Sequence, residues 1–418
     1  MKPGGKHKVG VYSGPEITND GLVLSLDAAN LKGYDKYENL ISHSASTSGI
    51  VLGAIGSGGS LPTGWVIDQG QPGTTLEVVG YGIEEGLNYI DLKFSGTTST
   101  TNRWLVRPGN AVSLTSGVTY NSSVYAKTIS GTPTDFRQFS VFGGGSGASL
   151  SGINSTLTRY SGSSAAGSTG TYYPRLDIGY NSIGTVMNFT IRVAGFQAEV
   201  GSSVTDYYPT TGTAKTRGST LIDLSGRGNT GTLTNGVGYN NSNIGSFVFD
   251  GVDDYITCGN PSSLNFGTGN FTISFIVYTT AYGFQGGSYV GKGNGTTIGF
   301  DFRDGGFFLY GTTGLIAYNS FAATLNVWEH HTIVYDSSSS PYVKFYKNGT
   351  YTGGSTTNNA GNISSIDTSE PLRIGLSVAG GPTRYFNGRM PLVQIYNRAL
   401  TAAEIQQNYN ATKSRYGL

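Results

Sequence analysis

The sequence predicts an all-β protein made of two β-sandwich (jelly-roll) domains, with one short C-terminal helix. Short segments in which apolar and polar residues alternate recur along the chain, and clusters of Gly, Ser, Thr and Asn separate them. Glycine accounts for 65 of the 418 residues, which agrees with a fold that contains many turns. Hydrophobic residues make up 37% of the chain, which is enough to fill the cores of two domains.

The N-terminal end predicts an arm followed by a strand. Residues 1–19 are polar and contain several glycines and prolines, so we expect an extended arm, either a disordered leader or an anchor to a larger assembly. The segment GLVLSLDAAN, which starts at Gly21, predicts a strand that ends in a turn. Leu22, Leu24 and Leu26 fall on one face of this strand.

Two groups of predicted strands follow, separated by a loop-rich junction at residues 210–220. Between residues 39 and 213 the strand candidates are TLEVVGY, NYIDLKFSG, VTYNSSVYAKTIS, DFRQFSVFGG and MNFTIRVAGFQAEVG. From residue 221 they are SFVFDGVDDYITCG, NFTISFIVYTT, TIGFDFRDGGFFLYG, WEHHTIVYD, YVKFYKNGTYTGG, PLRIGLSVAGG and RYFNGRMPLVQIYNRAL. The segment TAAEIQQNY predicts the helix, because Thr401 and Glu404 have the spacing of a capping box.

Composition excludes several classes of protein. A formal net charge of +1 provides no basic surface for phosphates, so nucleic acid is not expected as a partner. The lone cysteine, Cys258, excludes a disulfide framework and a Cys-rich zinc site. No apolar run approaches the ~18 residues of a membrane span, so no membrane insertion is expected. The first residues lack the apolar core of a secretion signal, which predicts synthesis in a host cytoplasm.

Several separated motifs of the C-terminal half occur together in one known family. They are LIDLSGRGNTGTL, FVFDGVDDYITCG, WEHHTIVYD, VKFYKNGTYTGG, LRIG and YFNGRMPLVQIYNRALTAAEI, in this order. Together they resemble the laminin-G-like domains of the concanavalin-A-like lectin superfamily, and the resemblance covers residues 221–418. It implies a two-sheet jelly roll of a kind that displays a sugar- or protein-binding face.

The same resemblance implies that one domain is inserted into the other. Related domains open with a segment like GLVLSLDAAN followed shortly by one like LIDLSGRGN, whereas here a long stretch separates the two. We therefore expect a discontinuous laminin-G-like sandwich at residues 20–37 and 218–418, with a second sandwich inserted at residues 38–217. Loops tolerate such insertions because closure entropy grows slowly with length. In the alternative, residues 20–37 belong to the inserted domain or stand alone.

The inserted segment has a resemblance of its own. ENLI, LPTGW, VTYNSSVYAK and FQAEVGSSVTDYYPT resemble the carbohydrate-binding-module-like jelly rolls of bacteriophage tail and fibre proteins. The whole chain is accordingly similar to virion structural proteins of tailed phages.

One acidic cluster could hold a metal ion. Asp250, Asp253 and Asp254 surround a glycine turn, and calcium favours such oxygen ligands, with Asp223 or Asn229 completing the set. Laminin-G-like domains often bind calcium, which the resemblance adds to this reading. In the alternative, Asp250 accepts backbone N–H bonds and Asp253 caps the hairpin without a metal.

Sugar binding needs exposed aromatic rings with amides and hydroxyls around them, because the rings stack on the apolar face of a pyranose. In the inserted domain the candidate rings are Trp65, Trp104, Tyr120, Tyr125, Tyr172, Tyr173 and Tyr180. In the C-terminal domain they are Tyr282, Phe284 and Tyr289, which fall in a glycine-rich segment.

Catalytic machinery is not expected. Glycosidases of this superfamily place carboxylates alternately along one strand, and no such run occurs here. Glu84 and Glu85 are adjacent and fit a turn, whereas Asp301 and Asp304 are three residues apart. The paired histidines His330 and His331 point to opposite sides of a strand, and we expect them to be structural.

The sequence as a whole predicts a bacteriophage virion protein, such as a tail fibre, appendage or capsid-decoration subunit, that binds host-surface glycans. We expect many copies per particle or a homo-oligomer, attached to other virion proteins through the N-terminal arm. One alternative is a purely structural cement protein that binds no sugar, and another is a glycan depolymerase. Apart from calcium, no cofactor is expected.

Overall fold

The fold is all-β with one short α-helix, which confirms the predicted fold class. The computed structural model of the chain describes the following residues: 16–30, 32–133, 136–141, 147–179, 182–201, 204–240, 242–282, 287–293, 298–303, 306–311, 314–319, 323–355, 363–378 and 383–418. Most of the predicted arm, residues 1–15, and two candidate rings, Tyr180 and Phe284, lie outside the described residues.

The elements are numbered in chain order. The first fourteen strands are β1 (Leu22–Asp27), β2 (Gly53–Ala54), β3 (Trp65–Gln69), β4 (Thr74–Glu84), β5 (Leu87–Thr97), β6 (Trp104–Pro108), β7 (Val112–Leu114), β8 (Thr119–Ser130), β9 (Phe136–Ser140), β10 (Ala148–Ser149), β11 (Thr158–Ala165), β12 (Gly170–Tyr172), β13 (Arg175–Ile178) and β14 (Val186–Val200). The next eight are β15 (Thr220–Leu221), β16 (Gly231–Thr234), β17 (Gly238–Asn240), β18 (Ser246–Asp250), β19 (Tyr255–Thr257), β20 (Phe271–Ala281), β21 (Ser288–Gly293) and β22 (Gly299–Arg303). The last are β23 (Gly306–Gly311), β24 (Gly314–Asn319), β25 (Trp328–Tyr335), β26 (Val343–Lys347), β27 (Thr350–Ser355), β28 (Leu372–Ile374), β29 (Leu376–Ser377), β30 (Arg384–Tyr385) and β31 (Asn387–Tyr396), followed by helix α1 (Ala402–Thr412). Short 3-10 turns lie at Ser242–Ile244, Ser262–Leu264 and Lys413–Arg415.

The chain forms two compact units. Unit 1 consists of Met1–Tyr34, Ser219–Val237 and Ser242–Leu418, and unit 2 consists of Asp35–Gly218 and Gly238–Asn241. Each unit has its own apolar core, and each is described separately below.

Unit 1 contains two packed sheets. In the first sheet the strands lie in the order β18-β31-β20-β25-β26-β27, and β1 also pairs with β31. The second is an eight-stranded sheet in the order β15-β16-β19-β28-β21-β22-β23-β24. Aromatic side chains fill the space between them, and the rings of Phe275 and Phe302, one from each sheet, lie 5.0 Å apart edge to face. The sheets therefore form a sandwich with an aromatic core.

Strand β1 lies in the first sheet of unit 1. It runs antiparallel to β31, with Leu24 opposite Ile395 and Leu26 opposite Val393. The predicted leucine face is buried, but Val23 and Ser25 on the other face are buried as well. Both faces are buried because side chains of unit 1 cover the strand on each side, so its alternation does not mark a solvent-exposed face.

Helix α1 confirms the predicted capping box. The Thr401 hydroxyl accepts a bond from the Glu404 N–H, and the Glu404 carboxylate accepts one from the Thr401 N–H at 2.8 Å. The described end of the predicted arm packs on this helix, since the Thr18 N–H donates to Asn408 Oδ1 at 2.8 Å and Gln407 Nε2 donates to the Glu16 carbonyl at 2.6 Å.

Unit 2 is also built from antiparallel sheets. A six-stranded sheet has the order β11-β8-β14-β5-β4-β2, a five-stranded sheet has the order β10-β9-β13-β6-β3, and β12 pairs with β7. Phe139 of one sheet packs on Phe196 of the other, with ring centroids 4.9 Å apart. Strands β4 and β5 are joined by the two-residue turn Glu85–Gly86, where φ is +50° and +78°, which is the conformation of a tight hairpin.

Candidate functional site

Strand β22 of unit 1 carries two charged residues on the face opposite the core. Phe300 and Phe302 are buried in the core between the sheets. Because side chains alternate along a strand, Asp301 and Arg303 point to the other face. The sequence GFDFR therefore places a carboxylate and a guanidinium next to each other on the face of the second sheet that points away from the core.

Strand β23 adds two aromatic rings to the same face. In the antiparallel register, Phe308 lies opposite Asp301, and Tyr310 follows two residues later. The two half-buried rings are 6.2 Å apart with planes inclined by only 6°, and the guanidinium of Arg303 lies 3.8 Å from the centroid of the Phe308 ring. We call Asp301, Arg303, Phe308 and Tyr310 the Asp301 face.

Asp301 is the centre of a hydrogen-bond network. Its side chain is buried, and its two carboxylate oxygens accept bonds from Ser288 Oγ at 2.7 Å and Ser377 Oγ at 2.9 Å. Burial raises the pKa of the Asp301 carboxyl, while the two serine hydroxyls and the nearby guanidinium groups of Arg303 and Arg384 act in the opposite direction. The two serine bonds fix the position of the Asp301 carboxylate. The carboxylate in turn holds the Arg303 guanidinium beside the two rings.

Two arginines surround this single carboxylate. Arg303 Nη1 lies 3.8 Å from Asp301 Oδ2, and Arg384 on β30 is buried close by. Burial lowers the pKa of Arg384, and the charge of Arg303 lowers it further. Flat rings beside fixed hydrogen-bond donors are the chemistry that recognises a pyranose, because the rings take its C–H face and the donors its hydroxyls.

Sequence reasoning did not single out this face. The prediction treated TIGFDFRDGGFFLYG as one strand, whereas β22 ends at Arg303 and β23 begins at Gly306, so the segment forms two paired strands. The sequence patterns place Asp301 only among possible catalytic acids, and they do not single out Phe308 or Tyr310. The letters DGG between two alternating segments are the sequence signal for a hairpin here.

Unit 2 carries two tyrosine rings beside the central strand β14 of its six-stranded sheet. Tyr89 on β5 and Tyr125 on β8 both lie opposite Ala194 of the central strand, so the two half-buried rings stand on either side of a small residue. Gly195 has a φ of +56°, and a Cβ there would lie 2.8 Å from the Tyr125 ring. Arg192 lies 3.3 Å from the centroid of the Tyr89 ring. Tyr125 was a predicted sugar-binding residue, whereas Tyr89 was not.

Three predicted sugar-binding rings are buried, which corrects their assignment. Trp104 and Tyr120 belong to the core of unit 2, and Tyr289 is completely buried in unit 1. Trp104 donates its indole N–H to Thr74 Oγ1 at 3.0 Å, and the Tyr120 hydroxyl accepts a bond from the Thr115 N–H at 2.9 Å. These rings fill apolar space and cannot stack on a ligand.

The other described candidates keep some exposed surface but are scattered. Trp65 packs edge to face on Phe196, and the Tyr172 hydroxyl is 2.6 Å from Ser168 Oγ. Tyr173 is exposed, with the Arg107 guanidinium 4.3 Å from its ring centroid. The exposed Tyr282 donates its hydroxyl to the Ala323 carbonyl at 2.8 Å.

The acidic cluster forms as a compact group. Oxygen atoms of Asp250, Asp253 and Asp254 all lie within 4.8 Å of one another. Asp250 Oδ1 accepts the Val252 N–H at 2.8 Å, and Asp254 Oδ2 accepts the Asp250 N–H at 3.1 Å. Burial, followed by the charge of Asp250, raises the pKa of Asp254 to about 7. These bonds match the alternative in which the turn stands without a metal, and the calcium site stays a prediction.

Asp223 and Asn229, the further calcium ligands considered, form a separate network. Asp223 accepts bonds from the N–H groups of Ser25 at 2.9 Å and Asn229 at 3.0 Å. Asn229 Nδ2 donates to the Val23 carbonyl at 2.6 Å. Both side chains thus hold β1 in unit 1, and Asp223 is not in the group formed by the three other aspartates.

The two adjacent histidines are both buried, on opposite faces of β25. His331 packs beside the core ring of Phe275 and lies 2.9 Å from Glu329 Oε2. His330 lies 2.7 Å from Ser274 Oγ and stacks on Tyr409 of α1. Burial lowers the pKa of His330 to about 3, so the ring is neutral over most of the pH range.

The C-terminal part of the chain matches one known family model. Residues 250–406 match the family model described as the concanavalin A-like lectin/glucanases superfamily. The predicted laminin-G-like resemblance is confirmed over this stretch, which contains the Asp301 face. No curated protein matches the chain.

Solved structures that resemble part of the chain include two binding domains and one domain of an arabinanase. The binding domain of Paraclostridial Mosquitocidal Protein 1 has 20% identity and a TM-score of 0.38, with 46% of this chain and 49% of that chain covered. The Botulinum neurotoxin serotype G binding domain has 19% identity and a TM-score of 0.37, covering 45% and 48%. Domain 4 of AbnA, a GH43 extracellular arabinanase from Geobacillus stearothermophilus solved with arabinotriose, has 15% identity and a TM-score of 0.36, covering 45% and 91%. The chain spans about half the length of the two toxin domains, and likenesses this low identify no ligand for it.

Among the helical residues that the structure describes, none forms a helix long and apolar enough to cross a bilayer.

Proposed function

We propose that the chain binds glycans through the Asp301 face of unit 1. The observation that carries this proposal is the parallel pair Phe308 and Tyr310, inclined by 6°, beside the guanidinium of Arg303. Tyr310 is half-buried, so part of its ring is available to a sugar. The lectin-superfamily match covers the face and supports the same function.

We also propose that the face binds glycans without cleaving them. Glycoside hydrolysis uses two carboxyl groups on either side of the scissile bond. Both oxygens of Asp301 are held by serine hydroxyls, and the charged groups that act on its pKa are arginines. A positioned carboxylate with these neighbours orients Arg303 and is poorly placed as an acid or nucleophile.

A second glycan-binding surface is favoured in unit 2 by the pair Tyr89 and Tyr125. The two half-buried rings flank the small residue Ala194, and each carries a hydroxyl. The resemblance of the inserted segment to carbohydrate-binding-module-like jelly rolls supports this surface. Binding by both units would raise avidity for a repeating polysaccharide.

The biological setting that we propose is a tailed-bacteriophage virion. The resemblance of the inserted segment to phage tail and fibre domains and the low charge of the chain, 12%, support an adhesive subunit on the particle. In this proposal the arm, residues 1–19, attaches the protein to other virion proteins, and many copies or a homo-oligomer present the faces together. A cement protein without sugar binding is the alternative, and a depolymerase is the less favoured one.

A glycan array with a matched pair of tyrosine variants tests the binding proposal. We expect Tyr310→Ala to lower the signal of the best glycan at least tenfold. Tyr351→Ala removes an equally large exposed ring from β27 in the other sheet of unit 1 and should leave the signal unchanged. Equal binding by both variants, or no glycan bound by the wild type, would contradict the proposal.

The test of the virion proposal requires purified phage particles rather than purified protein. We expect mass spectrometry of purified phage to find the protein, and deletion of residues 1–19 to abolish its incorporation while both units stay folded. Normal incorporation of the deletion variant would refute the role of the arm. Release of reducing sugar from host polysaccharide would replace the binding proposal with the depolymerase.

A further inference from the structure

Unit 1 contains a large cavity with a mixed polar and apolar lining on the side of the first sheet that faces α1. Its volume is about 890 Å³, within the ~300–1,000 Å³ of small-molecule sites. Strands β1 and β31 form its floor, and the end of α1 with the residues after it forms one wall. The floor is the opposite sheet from the one that carries the Asp301 face, so the two sites are independent.

Gln394 is the central residue of the cavity floor. It lies opposite Ser25 on β1 and opposite Ser274 on β20, in a row of polar side chains across the sheet. Its side chain is only 1% exposed, yet Oε1 has no hydrogen-bond partner among the described residues. Buried acceptors are nearly always satisfied, so this carbonyl calls for a donor from a molecule in the cavity.

The polar groups around Gln394 are mainly neutral. Asn19, Asn30, Asn410 and Ser414 line the cavity together with Ser25. Amides and hydroxyls both donate and accept, which matches the hydroxyl groups of a sugar, since each of these also does both. A ligand with several hydroxyls can therefore be bound at many points without any net charge.

The charged groups of the cavity do not favour an anion. Arg415 Nη1 donates to Asp27 Oδ2 at 2.8 Å, so these two charges neutralise each other. Glu16 is the remaining charged residue of the lining. The site therefore has no excess of positive charge for a phosphate, a sulfate or an acidic sugar.

Apolar side chains supply the other part of the wall. Ile17, Leu22, Leu224 and Leu392 line the cavity beside the polar groups. The C–H groups of a pyranose can pack on such a surface while its hydroxyls reach the amides. A mixed lining of this kind suits a sugar ring better than a fully polar metabolite.

We propose that this cavity is a second saccharide site, which binds a neutral mono- or disaccharide with one hydroxyl donating to Gln394 Oε1. It differs from the Asp301 face in its place and its lining, since it lies on the first sheet and is lined by amides, hydroxyls and aliphatic side chains, whereas the face presents two aromatic rings beside Arg303. The cavity thus adds a site for a small sugar or a chain end to a protein that binds polysaccharide by its surface.

The test uses the full chain and a panel of glucose, galactose, mannose, N-acetylglucosamine, lactose and maltose, followed by ligand-detected NMR and titration calorimetry. We expect at least one sugar to bind with millimolar or better affinity. Gln394→Met keeps the size of the side chain but removes the acceptor, and it should weaken binding at least tenfold without lowering Tm. Thr350→Met, at an exposed position of β27 outside the lining, is the control and should bind normally.

Two further variants separate loss of the cavity site from misfolding and from loss of the Asp301 face. If Gln394→Met does not fold, Asn410→Ala removes another amide from the helix side and should weaken binding at least threefold. Tyr310→Ala should leave binding of the small sugar intact, so that failure of the Asp301 face and failure of the cavity give different results. No binding by any sugar of the panel, or binding insensitive to both cavity variants, would overturn the proposal.

Discussion

Arg415 and Asp27 join the last turn of the described chain to its first strand. Arg415 Nη1 lies 2.8 Å from Asp27 Oδ2, while Asp27 Oδ1 accepts the Ala29 N–H at 2.9 Å. The Asp27 carboxylate is largely buried, and it depends on Arg415 for its charged partner. Residues that are far apart in sequence are thus coupled through one ion pair at the edge of the first sheet of unit 1.

We expect Arg415→Met to lower the free energy of unfolding of unit 1 by about 1–3 kcal/mol, because Asp27 would lose its partner in a largely buried position. Urea unfolding followed by fluorescence measures the change. The double variant Asp27→Asn/Arg415→Met removes both charges and should recover part of the loss. A double variant that is less stable than the sum of the two single ones would contradict the pairing.

The capping box at the start of α1 gives a second prediction. Thr401→Ala removes the hydroxyl that accepts the Glu404 N–H, and such N-cap losses cost about 1 kcal/mol. Thr401→Ser keeps the hydroxyl and should retain the stability of the wild type. Thermal unfolding of the three proteins decides the matter, and equal Tm values for the alanine and serine variants would disprove the cap.

Asp254 predicts a loss of stability with rising pH. Its folded pKa is raised to about 7 from an ordinary value of 3.8, so the folded state binds the proton more tightly than the unfolded state. The stabilisation is complete below pH 3.8 and is lost as the pH rises through 7, with a slope of at most about 1.4 kcal/mol per pH unit. Asp254→Asn should remove this slope, which chemical unfolding at several pH values measures.

Addition of calcium is a second experiment on the cluster of Asp250, Asp253 and Asp254. If the three aspartates hold calcium, adding the ion at pH 8 should raise the Tm of the wild type and leave the Tm of Asp254→Asn unchanged. Magnesium at the same concentration is the control for ionic strength. An unchanged Tm of the wild type would remove the calcium site and leave the metal-free turn.

The lowered pKa of His330 predicts that the stability of the fold decreases at acid pH, the opposite direction to the effect of Asp254. Its folded pKa is lowered to about 3, whereas an exposed histidine titrates near 6.5, so the unfolded state binds the proton more tightly. Stability should therefore fall as the pH drops from 6.5 toward 3. His330→Gln should reduce this dependence, and the difference between variant and wild-type stability curves isolates it from Asp254. If the stability of the variant and that of the wild type change with pH in parallel, His330 contributes nothing to the pH dependence of stability.

Alternation along the chain predicted the strands well but could not tell which face of a strand is covered. In β6, Trp104 takes a core position, because the buried residues of WLVRP alternate with half-buried ones and the tryptophan is on the buried side. Tyr289 lies in a glycine-rich segment that suggested a surface loop, yet β21 begins at Ser288 and carries the ring into the core. Local composition does not contain this information, because the opposite sheet decides burial.

The Asp301 face shows a second limit of prediction from the sequence. Its residues come from two strands, and only the register that places Phe308 opposite Asp301 brings them together. The capping box of α1, in contrast, was readable because Thr401 and Glu404 lie within one turn of the same helix. Contacts set by short spacing are visible in a sequence, whereas contacts set by pairing are visible only when the register is known.

The pairing of β1 with β31 has a consequence for biosynthesis. Leu24 on β1 meets Ile395, so the first strand of unit 1 leaves the ribosome long before its neighbour has been translated. Contacts of such separation form late and slowly. Unit 2, whose last residues are Gly238–Asn241, can complete its fold during translation, while β1 must wait with its leucines uncovered. Ribosome stalling before residue 387 should therefore yield nascent chains in which unit 2 resists protease and β1 remains accessible to a chaperone.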